Sequence, residues 1–106
     1  MIPLDYFKSL SLLEKKQHLQ WIVGNIESEN NQILMMCKKL LTCIEHPSEK
    51  LLLHIYQTIF NQITNIHIEE QKNMQEKYKT FIKNINNQEN IDQEDAENIL
   101  KEINNF

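Results

Sequence analysis

The sequence predicts an all-α fold, in which a long antiparallel helical hairpin and a short C-terminal helix form a three- or four-helix bundle. The chain of 106 residues contains one Gly and two Pro. A β-rich domain uses both residue types at its many turns, so their scarcity favours helices. Apolar residues also recur every three or four positions through long stretches, as on one face of a helix. At this length we expect a single domain over residues 1–106.

The first arm of the predicted hairpin covers residues 11–45. Ser11 and Glu14 match a capping box, in which a hydroxyl and a carboxylate three residues later satisfy two free backbone N–H groups. From Leu12 to Leu40 apolar residues repeat every seven positions, a pattern typical of a coiled coil. Gly24 and the polar residues 27–32 favour a break, but one Gly costs a helix only about 1 kcal/mol. We therefore expect one continuous helix, at most bent near residues 24–31.

The second arm of the hairpin starts at Pro47 and covers residues 47–86. Pro cannot continue the helix that precedes it, and it suits the first position of the next helix. From Leu52 to Ile85 the apolar residues fit an eleven-residue repeat better than a seven-residue one. A straight helix of this length would measure about 60 Å, which is long for a compact domain of this size. The sequence leaves open whether the arm breaks near residues 68–73 or forms an elongated hairpin, with or without a second copy.

Shorter segments flank the hairpin. We expect residues 1–10 to cap one end of the bundle, and the composition of residues 87–91 is typical of a linker. A final amphipathic helix is predicted over residues 92–106, with Asp92 as its N-cap. Residues 88–106 hold six carboxylates and one Lys, a net charge of −5 in a chain whose total is −4. This acidic helix is expected to dock either on its own chain, near the lysines that end the second arm, or on a partner.

The composition argues against several classes of function. All 11 basic residues are Lys and the net charge is −4, so we expect no binding to nucleic acid, for which Arg is the preferred side chain. Apolar runs reach about five residues, whereas a membrane span needs about 20. No signal peptide is visible. Cys37 and Cys43 predict free, largely buried thiols in a cytoplasmic protein, although a secreted effector without a cleavable signal stays open.

No arrangement of residues predicts catalysis. A single Gly rules out a Gly-rich phosphate loop, and no Ser-His-Asp or Cys-His-acid pattern stands out. His67 and Glu70 share a helix face, as ligands do in bundle di-metal proteins, but the pair occurs once. Cys43 and His46 have the spacing of two zinc ligands, whereas a structural zinc site needs four. We predict no enzyme activity, no cofactor and no metal, with a metal-binding bundle that uses His67 and Glu70 as the alternative.

The leading hypothesis is a non-enzymatic protein–protein interaction module. Its partner would be another protein or a second copy of the chain, bound through apolar helix faces. The final helix shows the spacing of the apolar anchors that an amphipathic helix places in a partner's groove. Trp21 is the only Trp and lies one residue outside the main apolar rows, where an interface anchor or a core edge is expected. The predicted partner-binding residues are Trp21, Ile99, Leu100, Ile103 and Phe106.

Overall fold

The computed structural model describes residues 2–26, 31–64, 76–87 and 91–104. These residues form six α-helices, with no strand in the described part of the chain, so the predicted all-α class is confirmed. Helices α1 to α6 are, in chain order, Leu4–Ser9, Leu12–Asn25, Gln32–Cys43, Glu49–Thr64, Lys79–Asn86 and Gln93–Asn104. Each of the six contributes buried apolar side chains to one shared core.

The core is built mainly from Leu and Ile side chains. Its largest fully buried members are Phe7, Leu19, Ile33, Met36, Leu40, Leu41, Leu51, Leu52, Ile55, Ile59, Ile82 and Ile85. The radius of gyration is 12.6 Å, close to the value of about 13 Å expected for a compact domain of about 100 residues. The apolar periodicity of the sequence therefore serves one compact bundle.

The N-terminal segment lies against α4. Phe7 of α1 is fully buried and its ring stacks on that of Tyr56, with 4.5 Å between the ring centroids. The Tyr56 hydroxyl donates a hydrogen bond to the carbonyl oxygen of Ile2 at 2.7 Å. These two contacts fix a helix of six residues, which is too short to be stable by itself.

The first arm is two helices, so the prediction of one continuous helix over residues 11–45 is wrong. The capping box at Ser11 and Glu14 starts α2 as predicted, but α2 ends at Asn25 and Ile26 is extended. Helix α3 has its own N-cap, because the Asn31 side chain accepts a hydrogen bond from the Leu34 N–H. The Asn31 side chain also donates to Gln62 of α4 at 2.6 Å. Contacts with another helix thus favour a second helix start where periodicity alone predicts continuity.

Helices α2 and α3 pack against each other in antiparallel directions. The Lys16 Nζ atom donates to the carbonyl oxygens of Ile44 and Glu45 at 3.3 and 2.9 Å. One turn further along α2, Gln20 Nε2 lies 3.3 Å from the carbonyl oxygen of Leu41. Side chains from α2 therefore satisfy backbone carbonyl groups in the last turn of α3 and in the two residues that follow it.

The chain turns at Pro47 as predicted, and α3 packs against α4 beyond this turn. The predicted helix start at Pro47 is wrong, because α4 begins at Glu49 and the Ser48 hydroxyl accepts a hydrogen bond from the Leu51 N–H. The described residues of the second arm do not lie along one straight helix. A straight helix from residue 49 to residue 86 would measure about 57 Å, whereas the longest dimension of the molecule is 34 Å. Residues 68–73, where the sequence left a break open, lie outside the described residues. Beyond them, α5 packs against α3, and α6 packs against α4.

The two cysteines are free, but they differ in exposure. Cys37 is fully buried, and burial raises the pKa of its thiol to about 12. Cys43 at the end of α3 is exposed, so the prediction of two largely buried thiols is wrong for this residue. It occupies the last turn of α3, on the side of the helix that faces solvent. Among the described residues, no helix has the length and apolar character needed to cross a membrane.

Candidate protein-interaction surface

The outer side of α2 carries the two most exposed large apolar side chains among the described residues. Leu13 is 65% exposed and Trp21 is 67% exposed. Each lies four positions from Gln17, and at about 100° per residue Leu13, Gln17, Trp21 and Gly24 share an arc of about 80°. We call these four residues the α2 face.

The buried side of α2 determines that the α2 face points to solvent. Leu19, Ile22 and Val23 are at most 5% exposed and lie on the opposite side of the helix. The capping box sets where the helix begins, because Ser11 Oγ and the Glu14 N–H are 3.2 Å apart. Once the start and the buried side are fixed, the direction of every other α2 side chain follows.

The α2 face holds no charged residue, and the nearest charges are already engaged. Hydrogen bonds with Ser11 hold the pKa of the Glu14 carboxyl below its ordinary value. The Lys15 ammonium group is 3.1 Å from a Glu49 carboxylate oxygen, and the Lys15 side chain is 3% exposed. Lys16 donates to the two carbonyl groups described above. A quarter of the chain is charged, so an exposed uncharged face with a Trp has the composition of an interface core.

A groove of about 350 Å³ lies beside the N-terminal end of the α2 face. It runs between the first turn of α2 and the turn that joins α3 to α4. Its lining residues are Leu12, Leu13, Lys16, Glu45, His46 and Pro47. Ligand pockets begin at about 300 Å³, so this groove has room for one large side chain. Leu13 belongs to both the groove and the α2 face, so the two form one continuous surface.

The sequence matches no family model, no curated protein and no solved structure. The case for the α2 face as a binding surface therefore rests on the residues of this chain alone. The sequence predicts Trp21 as a partner-binding residue but places Leu12 in an apolar helical row, whereas Leu12 is 51% exposed. The sequence did contain a pattern that indicates the position of Leu13 on the α2 face. Gln17 lies between Leu13 and Trp21 at four-residue spacing, on the helix side opposite Leu19.

The structure separates the predicted partner-binding residues into two groups. Trp21 is exposed on the α2 face, whereas Leu100 and Ile103 of α6 are fully buried in the core of this chain. Ile99 is half-buried and packs against that core. Phe106 lies outside the described residues. Of the two arrangements that the sequence left open, α6 adopts docking on its own chain, and the role of its apolar residues in binding a partner stays a prediction.

Polar contacts hold the first turn of α6 against the start of α4. The Ser48 hydroxyl accepts a hydrogen bond from the Leu51 N–H at 3.1 Å, as an N-cap does, and donates to a Glu97 carboxylate oxygen. The Ser48 N–H donates to the side-chain oxygen of Gln93 at 2.5 Å. One residue therefore caps α4 and binds two side chains of α6.

A second polar cluster holds the last turn of α6. The Asn104 amide donates to the Thr58 hydroxyl at 2.9 Å and to the His54 carbonyl oxygen at 3.2 Å. Its oxygen accepts from Asn61 at 3.3 Å. The expected contact between α6 and the lysines of the second arm contributes little to this docking. Its one described ion pair joins Lys77 Nζ and Glu102 Oε2 at 4.0 Å, and both side chains are exposed to solvent. Polar contacts at both ends therefore set the position of α6 along α4.

The metal-site hypotheses have no support in the described residues. His67 and Glu70, the predicted alternative site, lie outside those residues. Cys43 and His46, which have zinc-ligand spacing, are both exposed. Within residues 2–26, 31–64, 76–87 and 91–104 there is no group of three His, Cys, Asp or Glu side chains placed to hold a metal ion.

Two half-buried histidines link the stability of the bundle to pH. Burial lowers the pKa of both His18 and His54 below the ordinary value of 6.5. For His54, the Glu97 carboxylate opposes this effect, whereas Lys50 and Lys101 add to it. His18 Nε2 and His54 Nδ1 have no hydrogen-bond partner among the described residues. A proton added to either ring would therefore be poorly stabilised in the folded state.

We expect the free energy of unfolding to fall as the pH drops from 7 towards 5. Below about 6.5 the unfolded chain binds protons at both histidines more readily than the folded chain does, because the folded pKa values are lower. Urea denaturation at a series of pH values measures this slope. His54→Gln should flatten this slope, because it removes one of the two histidines whose pKa is lowered by burial. Equal slopes in wild type and in the double variant His18→Gln/His54→Gln would contradict the assignment.

Proposed function

We propose that this protein is a non-enzymatic protein–protein interaction module that binds through the α2 face. The observation that carries the proposal is Trp21, which is 67% exposed on a helix face without charge. Trp is the residue type most enriched among those that dominate binding energy at interfaces. An exposed indole and an exposed Leu on one helix face are costly in water, and a bound partner would remove that cost.

The composition of α5 and α6 supports the choice of α2 over these two helices. The outer sides of α5 and α6 carry exposed charged residues, among them Lys79, Lys83, Glu94, Asp95 and Glu102. Such surfaces are typical of helices that face solvent. The groove beside Leu13 adds a concave element, and energetically important interface residues commonly sit in or next to such pockets.

Further features restrict the class of partner that we propose. The net charge of −4 and the absence of Arg favour a protein partner over nucleic acid. The free thiols of Cys37 and Cys43 favour a reducing compartment, so we place the protein in the cytoplasm. The apolar side of α6 is occupied by its own chain, so it contributes to the function by completing the bundle that presents α2.

Site-specific photo-crosslinking tests the proposed function. A benzophenone amino acid replaces Gln17 on the α2 face, and in a matched protein it replaces Asn84, which is exposed on α5. Irradiation in the native cells should give a discrete adduct from position 17 and none from position 84. Trp21→Gln should remove that adduct without unfolding the protein, because substitution of an exposed side chain changes stability by about 0.5 kcal/mol or less. Equal adducts from both positions, or an adduct that survives Trp21→Gln, would contradict the proposal.

A further inference from the structure

We propose that the partner of the α2 face is the α2 face of a second copy of this chain, in an antiparallel pair whose two-fold axis passes near Gln17. This inference rests on the proposed function and names its partner. It follows from the arrangement of the face, in which a protruding aromatic side chain and a groove lie at opposite ends of one helix.

The α2 face and the groove beside it together supply both halves of a contact. Trp21 protrudes near the C-terminal end of α2, and the groove lies beside Leu13 near the N-terminal end. Eight residues separate the two, which is about 12 Å along the helix. In a two-fold antiparallel pair centred on Gln17, residues equally far before and after Gln17 face each other. Each Trp21 then lies beside Leu13 of the other copy, next to the groove that can receive it.

The surface between the two ends is suited to a helix of the same sequence. Leu13, Gln17 and Trp21 form one ridge with four-residue spacing, and helices pack by placing such ridges into neighbouring grooves. Gly24 offers an open place beside this ridge, because a Cβ atom added there would meet no atom within 4 Å. At the axis, the Gln17 side chain carries both a donor and an acceptor, so two Gln17 amides can pair with each other.

The charge of the molecule restricts where a second copy can bind. The chain has a net charge of −4, so two copies repel each other, and this repulsion is smallest when they meet through a surface without charged side chains. The α2 face is such a surface, and a two-fold contact uses the same patch on both copies. A strongly charged partner would instead be recognised by complementary charges, which this face lacks. One helix from each copy makes a small interface, so we expect a dissociation constant on the order of 10–100 μM.

Charge substitution at Gln17 tests the position of the axis. In the proposed pair, Gln17→Glu brings two carboxylates together, and Gln17→Lys brings two ammonium groups together. Each variant alone should self-associate about tenfold more weakly than wild type. An equimolar mixture of the two should recover dimerisation, because Glu then faces Lys. Analytical ultracentrifugation across the micromolar range measures association, and the emission of Trp21, the only Trp, should shift to the blue as the dimer forms.

The matched controls are Asn84→Glu and Asn84→Lys, which make the same charge changes on the exposed side of α5. They should associate as wild type does. A wild-type chain that stays monomeric, Gln17 variants that behave like the Asn84 variants, or a mixture no better than its components would each overturn the pairing. If wild type is monomeric and position 17 still crosslinks a different polypeptide in a Trp21-dependent way, the pairing is wrong and the proposed function stands.

Discussion

Leu100→Ala is expected to lower the free energy of unfolding by about 3 kcal/mol, since it removes a fully buried side chain and leaves a cavity between α6 and the core. Urea denaturation followed by circular dichroism measures the loss. Leu100 is an informative position because it belongs to α6, which the sequence alone also predicts to be a binding element. A large loss would show that α6 is part of the folded bundle in solution.

The matched control for Leu100→Ala is Ile99→Ala on the same turn of α6. Ile99 is half-buried, so its truncation should cost about 1 kcal/mol. The two variants have similar helix propensity changes and differ mainly in the volume removed from the core. Equal losses for the two variants would mean that α6 is not seated on α4 in solution, and the apolar side of α6 would then be open to a partner.

Ser48→Ala is expected to cost about 2 kcal/mol, roughly twice the effect of Ser11→Ala. Both residues cap a helix, because Ser11 Oγ accepts from the Glu14 N–H and Ser48 Oγ accepts from the Leu51 N–H. Ser48 also donates to Glu97 across the α4–α6 contact, so its removal leaves a part-buried carboxylate without that donor. Thermal and urea denaturation of the two variants measure the difference.

A double-mutant cycle isolates the contact between Ser48 and Glu97. The loss in the double variant Ser48→Ala/Glu97→Ala should be smaller than the sum of the two single losses by about 1 kcal/mol, because the two residues share one hydrogen bond. A cycle between Ser11 and Glu97, which lie on helices α2 and α6, supplies the additive reference. Additivity in both cycles would show that the extra cost of Ser48→Ala comes from elsewhere.

The helix starts show which features of the fold can be predicted from a few neighbouring residues. The capping box at Ser11 and Glu14 forms as predicted, and the Asp92 side chain accepts from the Glu94 N–H at 2.9 Å, one residue before α6 begins. These contacts span two or three residues, so the sequence contains all that decides them. The start of α3 at Asn31 was missed because part of its support comes from Gln62, 31 positions away.

The candidate surface was only partly predictable for a related reason. Trp21 was identified as an anchor from its place outside the apolar rows, but Leu12 and Leu13 were not. Helical periodicity assigns residues to a face, and it does not say where along the helix the neighbouring helices end. Leu12 and Leu13 lie in the first turn of α2, where both are more than half exposed.

The sequence by itself determined the helical class, the capped starts of α2 and α6 and the turn at Pro47, because backbone capping and proline geometry act over a few residues. Only the tertiary structure decided that the first arm is two helices, that α6 lies on α4, and that the α2 face points to solvent. These outcomes depend on which apolar surfaces bury one another most completely, and that free energy belongs to contacts between residues far apart in the chain.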